Sequence, residues 1–154
     1  MKYLNTVTLS VFVNSEENLA AIKQALIALV PFNLEEEKIA VKDEVARGFN
    51  DQPIHILTIT LAKTAHTNAF LKFLLEKLTS EQKELLLRQK ESRLDSELTF
   101  FIRFDKERWL ANELIITDSG TCFHLKMHLA AFPARRPDAL VLVEKIFKPE
   151  DAPG

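Results

Sequence analysis

Alternation of apolar and polar residues with a period of two recurs along the chain, and this pattern restricts the possible folds most. It runs through residues 6–13, 98–104 and 123–129. Because successive side chains of a β-strand point to opposite faces, each stretch predicts a strand with one buried face. Residues 54–61 are almost continuously apolar, as expected of an internal strand. Shorter apolar patterns predict further strands at 39–45 and 114–117.

The segments between these strands carry apolar residues at helical spacing. They span residues 19–30, 69–78, 79–93 and 139–147. Asn14 and Glu17 have the spacing of a capping box before the first helix, and Thr79 with Gln82 has the same spacing before the third. Helices with one apolar stripe and strands with one apolar face bury these surfaces when a layer of helices packs on a sheet. We therefore predict an α+β fold, with helices packed on one face of a mixed or antiparallel sheet and the other face partly open.

Length and composition predict one globular domain. The 154 residues include only 3 glycines and 6 prolines, so no long flexible linker interrupts the pattern. We expect a single domain over residues 1–147 and a flexible C-terminal tail over residues 148–154. No apolar run has the length of a membrane span, and residues 1–6 lack the apolar core of a signal peptide. The single cysteine, Cys122, fits a reducing compartment, so the predicted location is the cytoplasm.

Sequence motifs for catalysis are absent. There is no glycine-rich phosphate loop, no nucleophile elbow and no zincin helix. Cys122, His124 and His128 are the best candidates for a metal site. However, same-face residues on a strand stand about 7 Å apart, so Cys122 and His128 are too distant to share one ion. We therefore expect no enzyme activity, no metal and no other cofactor.

The polar alternates of two predicted strands place an aromatic ring among cations on a sheet face that is expected to be open. These residues are Thr99, Phe101 and Arg103 on one strand and Cys122, His124, Lys126 and His128 on the other. Bases of single-stranded RNA stack on exposed rings while nearby cations bind the phosphates. In the alternative interpretation, Phe101 packs under a loop or in a subunit interface and the charges are merely solvated.

A second candidate site is the predicted strand-to-helix junction at residues 132–137. Arg135 and Arg136 stand at the start of the last helix, where free backbone N–H groups and a partial positive charge favour anions. Pro137 suits the first turn of that helix. In the alternative interpretation, the two arginines are solvated or pair with Asp138 or Glu144.

Five segments, in this order along the chain, carry a resemblance to a known family. They are residues 7–13 with the Glu-rich helix start that follows, 48–54, 73–79, 102–106 and 131–136. The most specific are Arg-Phe-Asp-Lys at 103–106 and Pro-Ala-Arg-Arg at 133–136. The chain resembles archaeal RNA-binding proteins described as predicted exosome subunits, which are related in fold to the fifth protein of the large ribosomal subunit. The resemblance implies a ribosomal-protein-like fold, no enzyme activity, and RNA binding near RNA-processing or ribosome-related machinery.

The combined prediction is a non-catalytic archaeal RNA-binding protein. Its expected contacts are Phe101, by stacking, and Arg103, Lys106, Arg108, Lys126, Arg135 and Arg136, by binding phosphate. A net charge of −2 confines the cations to a local patch and predicts modest affinity that falls steeply with salt. One alternative is a protein-interaction module that forms a homodimer, or docks on an RNA-processing complex, through its open sheet face. Another is a small-molecule regulatory domain, for which the sequence indicates no pocket.

Overall fold

The computed structural model describes residues 2–148. The strands are β1 (Leu4–Val13), β2 (Lys42–Arg47), β3 (Pro53–Leu61), β4 (Thr99–Asp105) and β5 (Cys122–Leu129). The α-helices are α1 (Leu19–Ile27), α2 (Thr64–Lys77), α3 (Ser80–Arg88), α4 (Lys90–Arg93), α5 (Lys106–Leu110) and α6 (Arg136–Phe147), and a 3-10 turn occupies Phe49–Asp51. The predicted tail lies outside the described residues except for Lys148. No helix within residues 2–148 has the length and apolar character needed to cross a membrane.

The strands form an open antiparallel sheet in the order β2-β3-β1-β5-β4, which confirms the predicted α+β class. β3 is internal, as its continuous apolar sequence predicts, and β2 is an edge strand with every residue exposed. The alternation is also confirmed: β4 buries Phe100, Ile102 and Phe104 and exposes Arg103. The strand predicted at 114–117 is wrong, because only Ile116 pairs there, in an isolated bridge to Phe104.

Two compact units divide the chain, and β1, β4 and β5 each contribute residues to both. Within the described residues, the first unit comprises 2–7, 62–102 and 126–148. Its core includes Phe100 and Phe147, whose ring centroids lie 5.6 Å apart, so α6 covers the Phe100 face of β4. The predicted capping box of α3 is confirmed. The helix predicted at 79–93 is interrupted at Gln89, where the backbone leaves helical geometry, and continues as α4.

The second unit comprises residues 8–61 and 103–125. Helix α1 packs against α5, and the Trp109 indole N–H donates to the carbonyl of Ala25 at 2.7 Å. The N-cap of α1 is Asn18, whose side chain accepts from the Ala21 N–H, so the prediction of Asn14 as N-cap is wrong. Asn14 instead shapes the turn before the helix, because the Glu17 carboxylate accepts its backbone N–H. The single domain over residues 1–147 stays a prediction.

Candidate nucleic-acid interface

Phe101 and Lys126, both in the first unit, form an aromatic–cation pair. Phe101 lies on β4 between buried Phe100 and Ile102, so alternation turns its ring to the face of the strand opposite α6. The Nζ of Lys126, on β5, lies 5.8 Å from the centroid of the Phe101 ring, a cation–π distance. Phe101 is half-buried and Lys126 is exposed. The pair thus offers part of an aromatic face next to a free positive charge.

The junction before α6 presents a second aromatic ring and a second cation. Phe132 is 97% exposed, which is unusual for a large apolar side chain. The Arg135 side chain is 68% exposed, and its Nε donates to the Asp138 carboxylate at 2.9 Å. This exposed pair holds the arginine weakly, because solvent screens the attraction. A guanidinium has five N–H donors, so Arg135 retains several for a phosphate.

Arg136 has a different environment from its neighbour Arg135. Its two terminal nitrogens donate to backbone carbonyls, Nη1 to Leu94 at 3.0 Å and Nη2 to Glu91 at 2.6 Å. These bonds fasten the start of α6 to the end of α4. Lys90 and Glu144 add a salt bridge between the same two helices, so Glu144 is not a partner of the arginines. The Lys90 ammonium lowers the pKa of the Glu144 carboxyl.

The second unit holds the other predicted cations. Arg103 is exposed on β4, and its Nη1 donates to the carbonyl of Asp118 at 3.2 Å. The Arg108 side chain is 60% exposed, and its Nη1 lies 3.5 Å from the Glu113 carboxylate. Both guanidinium groups remain accessible to solvent, so each retains donors for a phosphate.

Lys106 is the predicted phosphate contact that the structure contradicts. Its side chain is only 7% exposed. The ammonium donates to the carbonyl of Phe12 at 2.7 Å and to both carboxylate oxygens of Glu17 at 3.2 Å. An ammonium bound by these three oxygens inside the protein has no access to RNA. Lys106 therefore has a structural role, joining the start of α5 to the turn before α1.

Cys122 is likewise buried, at 2% exposure, although alternation predicts it on the open face. The start of α5 lies beside this end of β5, where the Lys106 N–H donates to the carbonyl of Thr121 at 3.3 Å. Burial raises the pKa of the Cys122 thiol, and the positive charges of Arg103 and Lys106 oppose this effect in part. Among residues 2–148, no three His, Cys, Asp or Glu side chains converge as a metal site would require.

The buried thiol leads to a reactivity prediction. We expect dithionitrobenzoate at pH 8 to leave native Cys122 unmodified and to label it fully after guanidinium is added. Because the pKa is raised on folding, the neutral thiol stabilises the native state at pH values below its ordinary pKa. This contribution is lost as the pH rises through the raised value. Rapid labelling of the native protein, at the rate seen in guanidinium, would contradict the burial of Cys122.

Phe12 and Phe132 are exposed aromatic residues that our sequence interpretation missed. Phe12, in the second unit, is 49% exposed, and its ring centroid lies 5.9 Å from that of His124 in an edge-to-face arrangement. The signal for Phe12 was present, because it continues the alternation of Thr8 and Ser10 toward the open face. Phe132 lies in a loop without periodicity, so its exposure could not be read from a pattern.

Comparison with known proteins finds a family model and archaeal proteins that are similar to this chain. Residues 6–129 match a family model described as RNA binding. The chain is 22% identical over 147 residues to an RNA-binding protein of Pyrococcus abyssi, covering 96% of each chain. It is 24% identical over 139 residues to an uncharacterized protein of Methanocaldococcus jannaschii, covering 90% of this chain and 93% of the relative.

Solved structures share the fold. A crystal structure of a protein from Archaeoglobus fulgidus has a TM-score of 0.83 and 27% identity, covering 93% of this chain and 99% of that one. The structure of a DUF54 protein from Methanothermobacter thermautotrophicus has a TM-score of 0.76 and 23% identity, covering 95% of this chain and 99% of that one. The architecture described above is therefore found over nearly the full length of both proteins.

Proposed function

Because the chain belongs to the family described as RNA binding, whose model matches residues 6–129, we propose that it is a non-catalytic RNA-binding protein. The Pyrococcus abyssi relative, which aligns over nearly the whole chain, is named for the same activity. The net charge of −2 gives no general attraction to RNA, so the contacts must be local.

The observation that carries this proposal is the exposed ring of Phe132, with the exposed Arg135 three residues later in the chain. A large apolar side chain left almost fully in water indicates a surface that a partner covers. A base stacked on the ring would remove that apolar surface from water, and the guanidinium three residues on would bind the adjacent phosphate. In RNA-binding proteins, such stacking contributes roughly 1–3 kcal/mol per base.

Each of the two units also contributes proposed RNA contacts of its own. In the first unit, Phe101 offers a partly exposed ring and Lys126 supplies the charge next to it. In the second unit, Arg103 and Arg108 keep solvent-accessible guanidinium groups. These four residues, Phe132 and Arg135 are the proposed RNA contacts, and Arg136, with two of its donors bound to carbonyls, stays a predicted one.

Fluorescence anisotropy with a short single-stranded RNA and with a hairpin RNA tests the proposal. We expect binding at about 50 mM salt and a steep loss by about 200 mM, because phosphate contacts release counterions. Replacing both Phe101 and Lys126 by alanine should weaken binding roughly tenfold, since a stacking ring and a phosphate contact are lost. Lys23, an exposed lysine of α1, supplies the matched control, and Lys23→Ala should bind like the wild type. Absence of binding by the wild type at about 50 mM salt would refute the proposal.

The second candidate function is a protein-interaction module. The half-exposed ring of Phe12 on a sheet face favours it, because such a ring also suits a protein partner or a second copy of the chain. Light scattering after nuclease treatment separates the two functions. A dimer or complex that persists without RNA, and that Phe12→Ala disrupts, would support the interaction module.

We also propose that the bound RNA belongs to exosome-related processing or ribosome-related machinery. The support is the resemblance carried by residues 102–106 and 131–136 and by the three other segments described above. Affinity purification should recover components of such machinery, and their loss on nuclease treatment would indicate that RNA forms the connection. Recovery of unrelated proteins alone would contradict this assignment without affecting RNA binding itself.

A further inference from the structure

A cleft in the first unit concentrates positive charge away from the proposed contact residues. It has a volume of about 890 Å³ and is formed by α2, α3, the end of α6 and the residue before β1. Four lysines line it, Lys72, Lys83, Lys145 and Lys148, against one acidic residue, Glu76. Acidic residues outnumber lysines and arginines in the whole chain, 22 against 20. The charge of the cleft is therefore a local feature and does not follow from composition.

Three of the four cleft lysines form no salt bridge within the part of the chain that the structure describes. Within residues 2–148, neither Lys72, Lys83 nor Lys145 has a carboxylate within salt-bridge distance. Lys72 and Lys145 are exposed and Lys83 is half-buried. Like charges held near one another raise the free energy of the unliganded protein, and an anionic ligand relieves that repulsion.

The other side of the cleft's chemistry is apolar and aromatic, and we call these lining residues its floor. Leu71, Leu75 and Ile146 provide apolar surface, and half-buried Tyr3 adds an aromatic ring. An apolar and aromatic floor combined with lysines matches the two parts of an unpaired nucleotide, which has a flat base and a charged phosphate. The volume falls in the range of about 300–1,000 Å³ that is usual for ligand clefts, which suits one or two nucleotides.

We infer that this cleft binds a segment of single-stranded RNA, with its bases against Tyr3 and the apolar floor and its phosphates on the four lysines. The inference rests on the proposed function and adds a contact surface formed mainly by helices. A duplex is disfavoured, because its bases are stacked on one another and cannot reach the floor.

The salt dependence of RNA affinity tests whether the lysines of the cleft bind RNA phosphates. We expect the Lys83→Ala/Lys145→Ala variant to reduce the slope of log affinity against log salt by about 1.4, because each single-strand phosphate contact contributes about 0.7. The control removes two lysines outside the cleft, Lys23 and Lys77, and should leave the slope unchanged. If the wild type binds RNA and the cleft variant shows the same slope, this inference is overturned and the proposed function is left intact. Absence of wild-type binding would overturn both.

Substitutions of Tyr3 test whether RNA bases contact the floor of the cleft. Tyr3→Leu should weaken binding of single-stranded RNA roughly tenfold, whereas Tyr3→Phe should retain the wild-type affinity because its ring still stacks. Adenosine monophosphate is the probe for the competing occupant, a free nucleotide. Saturable binding of this nucleotide that requires Lys83 and Lys145, combined with an unchanged RNA slope in the cleft variant, would assign the cleft to a mononucleotide and contradict our inference. Equal thermal stability of all variants, measured by circular dichroism, establishes that each is folded.

Discussion

Lys106→Ala is expected to lower the free energy of unfolding by about 2–3 kcal/mol and to reduce the melting temperature by about 5–10 °C. The alanine leaves the carbonyl of Phe12 and the carboxylate of Glu17 without the ammonium that both bind. The side chain of Glu17 is 27% exposed, so water recovers part of its solvation, and the expected cost stays below that of a fully buried broken pair. Thermal unfolding followed by circular dichroism measures the change.

A double-mutant cycle identifies the source of this effect. Lys106→Met and Glu17→Gln together should cost less than the sum of the single changes, because the two residues interact directly. At temperatures well below unfolding, Lys106→Ala should bind RNA within about twofold of the wild type, since the ammonium is bound to Phe12 and Glu17. A Lys106→Ala protein of unchanged stability but much weaker RNA affinity would show that Lys106 contacts RNA, contrary to its buried position.

The error over Lys106 shows where local sequence information ends. Alternation over residues 98–104 correctly predicts the strand that precedes Lys106, because this pattern acts within a few residues. The burial of Lys106 depends on Phe12 and Glu17, which are 94 and 89 residues away in the chain. Only the folded arrangement of α5 beside the turn before α1 brings these groups together. Periodicity along one segment contains no information about which distant segment covers it.

Alternation was more reliable, since it describes the backbone itself, whereas of the two predicted capping boxes only the one at Thr79 is found. The buried and exposed faces of β4 and the capping box at Thr79 are found as predicted. Alternation failed at Cys122, on β5, because that side chain is buried. For the candidate site, sequence located the junction and the Phe101–Lys126 pair, but it could not assign different roles to two adjacent arginines.

Substitution of the two arginines should affect different properties, stability for Arg136 and RNA affinity for Arg135. Arg136→Ala is expected to lower the free energy of unfolding by about 1.5–3 kcal/mol, because it removes charged donors from the carbonyls of Leu94 and Glu91. Arg136→Lys should restore little of this loss, because a single ammonium cannot reproduce the two-nitrogen fork that reaches both carbonyls. Thermal unfolding measures both variants. Full stability of Arg136→Ala would show that these bonds do not hold α6 to α4.

The matched change, Phe132→Ala combined with Arg135→Ala, should leave the melting temperature nearly unchanged and weaken RNA binding roughly 10- to 100-fold. Its stability is preserved because Phe132 is almost fully exposed and the Arg135–Asp138 pair is a surface salt bridge. Its affinity falls because a stacking ring and a phosphate contact disappear together. Anisotropy titrations of this variant and of Arg136→Lys, below the melting temperature of each, compare the two positions directly. Wild-type affinity in the Phe132→Ala/Arg135→Ala variant would exclude this junction from the interface, and the sheet face bearing Phe101 and Lys126 would then be the principal RNA contact.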